Sequence, residues 1–174
     1  MRNIVLIGFM GTGKSVTGKR IAKQLNMKFI NTDDMIEERE GRRIKEIFEV
    51  SGEPYFRKVE KEAVKEASEM DNVVIAAGGG VVLDEGNIAD LKKKGVMVCL
   101  NAPADAIYER TKKYKHRPLL NVEDPVSRIK ELLGSRAHLY AKADYQVDTD
   151  GKTVYEVAQE VIEGIKRHER AQPS

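Results

Sequence analysis

Residues 3–15 read NIVLIGFMGTGKS, and this stretch decides the fold. Asn3 to Gly8 is a continuous apolar, β-branched run, which is typical of a strand buried on both faces of a parallel sheet. Gly8 to Ser15 matches the pattern G-x-x-x-x-G-K-[ST], and the apolar spacing from Lys14 to Leu25 predicts a helix. A strand, a glycine-rich turn and a helix in this order predict a loop that binds nucleotide phosphates.

The residue types of this loop suit phosphate groups. Its glycines let successive backbone N–H groups turn inward, where they and the positive end of the helix would hold phosphate oxygens. We expect Lys14 to neutralise the β- and γ-phosphates and the Ser15 hydroxyl to ligate Mg²⁺. A dinucleotide-binding turn is disfavoured, because such a turn spaces its glycines G-x-G-x-x-G, whereas the glycines of this loop are spaced G-x-x-G-x-G. The residues predicted here to bind the nucleotide are Gly11, Thr12, Gly13, Lys14, Ser15 and Val16.

Strand and helix patterns alternate along the rest of the chain. Further strands are predicted at Lys28–Ile30, Val73–Ala76, Val96–Leu100 and Tyr145–Val147. Helices are predicted at Asp34–Arg39, Ile44–Val50, Pro54–Met70, Asn87–Lys93, Ala104–Lys113, Val126–Ala141 and Val154–Arg167. Helix ends or turns are predicted at Gly41, Gly52, Gly95 and Gly134. Strands separated by helical crossovers imply a parallel sheet with helices on both faces, a three-layer α/β fold forming a single domain over residues 1–174.

Two segments fit this alternation poorly. Asn31–Gly52 carries two short helical patterns where one crossover would be enough, and Arg110–Pro125 is polar and basic with two prolines. Irregular, charged segments in an otherwise compact α/β pattern often close over bound ligands. We therefore expect two moving segments, one within residues 31–60 and a lid over residues 112–124.

The composition excludes several classes of protein. Thirty Lys and Arg residues against 28 Asp and Glu residues give a formal net charge of +2, which disfavours a dedicated nucleic-acid or membrane-surface protein. No apolar run approaches the roughly 18 residues that span a bilayer. The single cysteine, Cys99, excludes an intramolecular disulfide and fits a reducing compartment. We expect a cytoplasmic protein without nucleic-acid or membrane partners.

The phosphate-binding loop does not identify the second substrate. A guanine-reading switch protein would carry Asn-Lys-x-Asp after a later strand, and the sequence has no such run. The strand Val73–Ala76 leads into three glycines, Gly78–Gly80, and not into the aspartate typical of motor-type ATPases. Asp33 and Asp34 follow the second strand and are the best-placed carboxylates, because sites in parallel sheets form at the carboxyl ends of strands.

Each remaining candidate has a plain structural alternative. The three glycines would let the backbone pass close to a ligand, or they form a flexible turn into residues 81–83. Arg57 would bind an anion, or it pairs with Glu60 and Glu53 on the surface of its helix. Arg136 and the basic loop around Arg117 are open to the same two interpretations.

The motifs as a set resemble the shikimate kinase family. The resemblance runs from the phosphate-binding loop to about Thr149, with six motifs in the family's order and spacing. These motifs are Gly8 to Ser15, Thr32-Asp33, Gly52-Glu53-x-x-Phe56-Arg57, Gly78-Gly79-Gly80, Arg117-Pro118-Leu119-Leu120 and Arg136-x-x-Leu139-Tyr140.

The resemblance implies a fold and an activity. The fold is a five-stranded parallel sheet in the order 2-3-1-4-5, and the activity is transfer of the γ-phosphoryl group of ATP to the 3-hydroxyl of shikimate. Mg²⁺ would be the cofactor, ATP and shikimate the small-molecule partners, and the protein a monomer.

The resemblance also implies residue roles. Asp33 would hold the reacting hydroxyl and take its proton, and Lys14 and Arg117 would complete the catalytic set. Shikimate would be bound by Asp33, Arg57, Gly79, Gly80 and Arg136. Arg117 would close over the phosphates, and Arg110 and Lys152 would lie near adenine. The chemistry of the substrate favours the same residue types, because a guanidinium group can donate two parallel hydrogen bonds to a carboxylate such as that of shikimate.

The sequence departs from the family at two positions. Asn31 stands where the family usually has the first aspartate of Asp-x-Asp, so we expect no direct metal role for it, with either weaker Mg²⁺ binding or compensation by Asp34. Thr153 stands where a proline is common in the adenine loop. The alternative functions are a related kinase for gluconate or a nucleotide, and an ATP-binding regulatory module without catalysis.

Overall fold

The computed structural model describes residues 1–114 and 121–172. Its strands are β1 (Asn3–Ile7), β2 (Lys28–Asn31), β3 (Val73–Ala76), β4 (Gly95–Asn101) and β5 (Tyr145–Asp148). Its α-helices are α1 (Lys14–Leu25), α2 (Thr32–Glu40), α3 (Ile44–Glu69), α4 (Glu85–Lys94), α5 (Ala104–Thr111), α6 (Pro125–Tyr140) and α7 (Val154–Ala171). A short 3₁₀ helix at Val81–Leu83 follows the three glycines.

The five strands form one parallel sheet in the order β2-β3-β1-β4-β5, which confirms the predicted fold. β1 lies at the centre, with Val5 paired to Ile75 of β3 on one side and to Met97 of β4 on the other. All five residues of β1 are buried, as expected for a strand covered on both faces. The order reverses beside β1, so the carboxyl ends of β1, β3 and β4 open onto one crevice.

The two faces of the sheet carry separate apolar layers. Ile4 and Leu6 of β1 point to one layer, which includes Ile21 of α1 and Val161 of α7. The alternate residues of β1, Val5 and Ile7, point to the other layer, where α3, α4, α5 and α6 pack. This alternation follows from the period of two in a strand, and it produces the predicted three-layer architecture.

Helices α2 and α3 form a smaller unit beside the sheet with an apolar cluster of its own, which includes Ile36, Ile47 and Phe56. The helices predicted at Ile44–Val50 and Pro54–Met70 form the single element α3, which is interrupted at Gly52. Gly52 has φ +82° and ψ 167°, a conformation that other residues rarely adopt. Proline follows two residues later, in the first turn of the second half, where its missing N–H costs nothing.

The prediction of a turn or helix end at Gly134 is wrong. Gly134 lies inside α6, with its Cα exposed and nothing within 4 Å of the position of an added Cβ. Buried residues on either side of it, Ile129 and Tyr140, hold the helix against the sheet and outweigh the low helix propensity of one glycine. In the part of the chain that the structure describes, no helix has the length and apolar character needed to cross a membrane.

Candidate active site

The phosphate-binding loop closes tightly between β1 and α1. Gly8 has φ +142°, and a Cβ atom there would clash with the carbonyl oxygen of Leu100. Gly11 has φ +76°, and a Cβ atom there would lie 2.6 Å from Cγ2 of Thr111. Both positions therefore require glycine. The buried Thr12 hydroxyl donates to the Phe9 carbonyl at 2.8 Å, so this side chain braces the loop from inside.

Two side chains at the start of α1 face the crevice. The Lys14 ammonium donates to the carbonyls of Gly8 and Phe9, at 2.8 and 2.9 Å, and so lies over the mouth of its own loop. The Ser15 hydroxyl accepts a hydrogen bond from Nδ2 of Asn31 at 2.9 Å. Both side chains line a cleft at the carboxyl end of the sheet, together with Gly11, Gly13 and Val16. Five of the six residues predicted to bind the nucleotide in this loop thus share one surface, and Thr12 supports it.

Asn31 caps α2 and fixes the position of Asp33. Its Oδ1 accepts from the backbone N–H groups of Asp33 and Asp34, at 2.9 and 3.2 Å. Backbone N–H groups can only donate, so the amide oxygen must face them and the amide nitrogen must face Ser15. Asp33 therefore stands in the first turn of α2, where the helix dipole favours a carboxylate, and it lines the same cleft.

The loop from Gly78 to Gly80 lies against this carboxylate. A Cβ atom at Gly78 would lie 2.7 Å from Oδ1 of Asp33 and 3.3 Å from Oε2 of Glu60. The backbone of Gly78 is tied back to α2, because its N–H donates to the Thr32 hydroxyl at 3.0 Å. The glycines thus allow a close approach of loop to carboxylate, and not merely a flexible turn.

The two predicted arginines flank the same glycines. The Arg57 guanidinium lies against Gly80, where a Cβ atom would overlap its Nη1 and Nη2. Nη1 of Arg136 donates to the Gly79 carbonyl at 3.3 Å, and this arginine is 9% exposed. Elements distant in sequence, α3 and α6, therefore bring two guanidinium groups to one loop. The predicted surface pairs of Arg57 are also present, with Glu60 at 2.8 Å and Glu53 at 3.3 Å.

Glu60 joins these groups, and the sequence analysis gave it only the role of a helix partner for Arg57. It is 2% exposed. Burial raises its pKa, the nearby Asp33 raises it further, and the cations of Arg57 and Arg136 oppose the rise. Its position carries a signal, because residues 56, 60 and 64 share one face of α3 and residues 56 and 64 are apolar.

Tyr140 is a second residue that the sequence analysis left without a role. Its hydroxyl donates to the Gly79 carbonyl at 3.1 Å, so that carbonyl accepts from both Arg136 and Tyr140. Burial raises the pKa of Tyr140, which keeps the phenol protonated as a donor. With its carbonyl fixed in this way, the Gly79–Gly80 segment is held in one orientation, and its N–H groups with it.

Of the two residues predicted near adenine, one lines the cleft and the other does not. Arg110 lines the cleft, and its Nη1 donates to the Gly11 carbonyl at 3.2 Å and to the Thr149 hydroxyl at 3.0 Å. Lys152 pairs with Glu160 at 2.6 Å and does not line the cleft. Thr153, in the family's proline position, caps α7 by accepting from the Glu156 N–H.

Arg117 lies outside the described residues, as does its motif from residue 117 to 120. The lid predicted over residues 112–124 is described only at its two ends. Tyr114, at the first of these ends, lines the cleft.

The donors in the cleft suit Mg²⁺ held chiefly by phosphate oxygens and water. Mg²⁺ typically takes one or two protein ligands in such sites, and the Ser15 hydroxyl and the Asp33 carboxylate line the cleft beside the phosphate-binding loop. Among the described residues, no group of three His, Cys, Asp or Glu side chains could form an all-protein metal site. The cleft thus combines a phosphate loop, a metal-compatible edge and a carboxylate. Two guanidinium groups, of Arg57 and Arg136, do not line it but lie against the glycine loop at its side. Fold and cleft together define a P-loop kinase.

Comparison with known proteins narrows this class. The family model for shikimate kinase matches residues 10–166. A shikimate kinase from Caldanaerobacter subterraneus subsp. tengcongensis is 53% identical, covering 93% of this chain and 95% of the relative, and one from Thermodesulfovibrio yellowstonii is 50% identical, covering 96% of each. The structure of shikimate kinase from Acinetobacter baumannii in complex with shikimate superposes with a TM-score of 0.92, at 35% identity over 97% of this chain and 94% of that one. The chain belongs to the shikimate kinase family, whose activity is the ATP-dependent phosphorylation of shikimate.

Proposed function

We propose that this chain transfers the γ-phosphoryl group of ATP to the 3-hydroxyl of shikimate in the cleft at the carboxyl end of its sheet. The observation that carries the proposal is the convergence on Gly78–Gly80 of Asp33, Arg57 and Arg136, beside the phosphate-binding loop. Phosphoryl transfer depends on positioning and charge stabilisation more than on covalent chemistry. These groups supply both.

The two guanidinium groups account for an acidic substrate. Shikimate is a small monoanion with hydroxyl groups, and an arginine fork matches a carboxylate through two parallel hydrogen bonds. Arg57 and Arg136 approach the glycine loop from α3 and α6, so a carboxylate lying against Gly79 and Gly80 would contact both. Glu53 is the more exposed of the two partners of Arg57, and the substrate carboxylate takes its place.

Asp33 is the group that binds the reacting hydroxyl. It lies in the first turn of α2, and it lines the cleft together with Lys14 and Ser15. A carboxylate can accept a hydrogen bond from a hydroxyl, orient its oxygen in line with the γ-phosphorus and take the proton as the new bond forms. Asp33 is therefore assigned as the orienting group and the proton acceptor.

The nucleotide side of the cleft supplies positive charge. The N–H groups of Gly11, Thr12, Gly13 and Val16 hold phosphate oxygens, and Lys14 swings from its own loop carbonyls onto the β- and γ-phosphates. Bound Mg²⁺ would neutralise charge on those phosphates, with Ser15 as its protein ligand. We assign Arg117 to the transferred phosphoryl group and Arg110 to the adenine base. Lys152 is assigned to a contact at the edge of the adenine site.

We infer further that the chain works as a cytoplasmic monomer, with residues 1–174 forming one domain. Burial raises the pKa of the single thiol, Cys99, to about 12, so it stays protonated and unreactive. A chain with one cysteine can form no internal disulfide, which suits a reducing compartment. Light scattering at micromolar concentration with both substrates present tests the monomer, and a dimer that forms on substrate binding would contradict it.

The test of the activity is acceptor-dependent release of ADP. With MgATP, we expect turnover with shikimate and none with gluconate or without an acceptor, and the phosphorus of the product should couple to the proton on C3 in NMR spectra. Turnover with gluconate would favour a related small-molecule kinase. Binding of ATP without turnover would favour the regulatory module.

A further inference from the structure

Four polar side chains meet where α3 is interrupted. Glu40 is the last residue of α2, and its carboxylate accepts the single proton of the Tyr55 hydroxyl, whose oxygen lies 2.9 and 3.1 Å from Oε1 and Oε2. Arg42 donates from one nitrogen, Nη2, to Glu40 at 3.3 Å and to the Ser51 hydroxyl at 2.8 Å. Ser51 and Tyr55 lie on opposite sides of Gly52. We call Glu40, Arg42, Ser51 and Tyr55 the Glu40 cluster.

This cluster is more than a solvated ion pair. The Glu40 side chain is 14% exposed and that of Arg42 is 25% exposed, whereas the side chains of the surface pair Lys45–Glu49 are 52% and 62% exposed. The Arg42 guanidinium also lies over the Tyr55 ring, 5.7 Å from its centroid. The Glu40 carboxylate raises the pKa of Tyr55, so the phenol remains a donor. Glu40, Arg42 and Tyr55 therefore each contact at least two other members of the cluster, and Ser51 contacts Arg42.

The regular helical conformation of α3 is interrupted at Gly52, which has φ +82°. Among the described residues, Cδ of Pro54 at 3.8 Å is the one atom near an added Cβ at this position, so there is room for the backbone to bend. Side chains on the two halves of α3 contact each other across this interruption and so limit the angle between them. One such contact is apolar, between the rings of Phe48 and Phe56 at 4.5 Å. The Glu40 cluster supplies the polar contacts on the same hinge.

The hinge bears directly on the shikimate site. Arg57 lies two residues after Tyr55 on the second half of α3. Asp33 lies in the first turn of α2, and Glu40 is the last residue of that same helix. A small rotation at Gly52 would move the Arg57 guanidinium relative to both Gly80 and Asp33. The cluster thus connects the helix that holds the hydroxyl-binding group to the helix that holds a carboxylate-binding group.

We propose that Glu40, Arg42 and Tyr55 are positioning residues for shikimate, which fix the angle of α3 at Gly52 so that Arg57 faces the glycine loop at the correct distance from Asp33. None of the three touches substrate in this arrangement. The proposal rests on the proposed function, because it concerns the same acceptor site. It assigns to the outer surface of α2 and α3 a role in shikimate affinity that nucleotide binding does not share.

The test separates the two ligands. Tyr55→Phe removes one hydroxyl and leaves the ring, and Glu40→Ala removes the acceptor. In each variant we expect the shikimate Kd, measured by calorimetry, to rise about two- to tenfold, because a hydrogen bond of this kind is lost. The Kd of a non-hydrolysable ATP analogue should stay constant. The matched control is Glu49→Ala on the first half of α3, where the exposed Glu49 pairs with Lys45 within its helix. We expect no change in either Kd for this control.

The double variant completes the test. Tyr55 and Glu40 act through one contact, so Tyr55→Phe combined with Glu40→Ala should raise the shikimate Kd by no more than the larger single change. Multiplicative effects, equal weakening of both ligands, or a lowered Tm with an unchanged shikimate Kd would each overturn the proposal. Failure of the proposed function would instead appear in the unaltered protein, as ADP release that does not depend on shikimate.

Discussion

Oε1 of Glu60 accepts a hydrogen bond from Nη1 of Arg57 at 2.8 Å inside a site where the glutamate is 2% exposed and the Arg57 side chain is 29% exposed. One partner is therefore buried, and the other is partly exposed beside the glycine loop. The buried carboxylate orients the guanidinium without occupying its outer edge. The Nε and Nη2 groups of Arg57 donate to the exposed Glu53, which a second carboxylate, such as that of an acidic substrate, can displace.

The burial of Glu60 predicts a pH effect on stability. Burial raises its folded-state pKa above the usual value of 4.5, so the folded protein holds this proton more tightly than the unfolded chain. The corresponding contribution to the free energy of unfolding is fully present below about pH 4.5 and is lost as the pH rises through the folded pKa. A glutamine cannot ionise and so does not show this loss.

We therefore expect the Tm of Glu60→Gln, relative to that of the unaltered protein, to increase as the pH rises from about 4.5 through the folded pKa of this carboxyl, and to level off above it. Differential scanning calorimetry across that range measures the difference. Glu53→Gln is the control, since it changes the exposed partner of the same arginine. A parallel trend in both variants would contradict the assignment to the buried carboxylate.

The second prediction concerns Arg136. Its guanidinium donates to the Gly79 carbonyl and is nearly buried, so Arg136→Ala removes a support of the glycine loop together with the substrate contact proposed above. We expect the KM for shikimate to rise at least tenfold, with a much smaller change in the KM for ATP. Arg128→Ala is the control on the same helix, because Arg128 pairs with the exposed Glu131. Equal changes in the two KM values for Arg136→Ala would remove its role at the acceptor site.

Local features of this fold follow from the sequence with few errors. The predicted boundaries of α1 and β3 agree with the structure residue for residue, because a glycine-rich turn and a short β-branched run are signals contained within a few neighbours. α7 continues to Ala171, beyond its predicted end at Arg167, because the polar residues after that position can still extend a helix whose packed face has ended.

The contacts of the site follow less directly. Glu60 and Tyr140 acquire their roles from the glycine loop, and Tyr140 is 61 residues from its partner Gly79 in sequence. A pairing of that kind depends on the sheet order, which here came from the resemblance to a family and not from periodicity. At Gly134 the local signal itself was misleading: the glycine predicted a helix end, but packing of the residues on both sides of it keeps the helix continuous.

The third prediction concerns Asn31. Its amide nitrogen donates to the Ser15 hydroxyl, so it presents a donor, and no negative charge, to the side of the cleft where Mg²⁺ would bind. Asn31→Asp would keep the cap on α2, because aspartate accepts from the same N–H groups, and would let Ser15 donate to the new carboxylate. One added charge near a partly solvated cation stabilises it by about 1 kcal/mol, which is roughly fivefold in affinity.

We expect the Mg²⁺ concentration at half-maximal activity to fall about fivefold in Asn31→Asp, and Mn²⁺ binding measured by electron paramagnetic resonance to tighten equally. Asn31→Ala separates the cap from the charge, and it should lower the Tm without tightening Mn²⁺ binding. Unchanged Mn²⁺ binding in Asn31→Asp would show that the metal lies away from this residue.

The fourth prediction uses two glycines that differ only in backbone conformation. Gly134 lies in the exposed face of α6, and Gly151 lies in a turn with φ +70°, and an added Cβ meets nothing within 4 Å at either position. Alanine at position 134 adopts the helical conformation readily and restricts the unfolded chain, so Gly134→Ala should raise the free energy of unfolding by about 0.5–1 kcal/mol. Alanine at position 151 must enter the left-handed region, so Gly151→Ala should lower it by about 1–2 kcal/mol.

These changes correspond to a Tm about 1–4 °C higher for Gly134→Ala, and one lower by a few degrees for Gly151→Ala, in a chain of this size. Because Gly134 is two residues from Arg136 on α6, the shikimate KM of Gly134→Ala reports whether the substrate site needs a flexible helix. An unchanged KM with a raised Tm means that α6 presents Arg136 as a rigid element. A raised Tm with a raised KM would mean that the glycine is retained for motion of that helix, at a cost in stability.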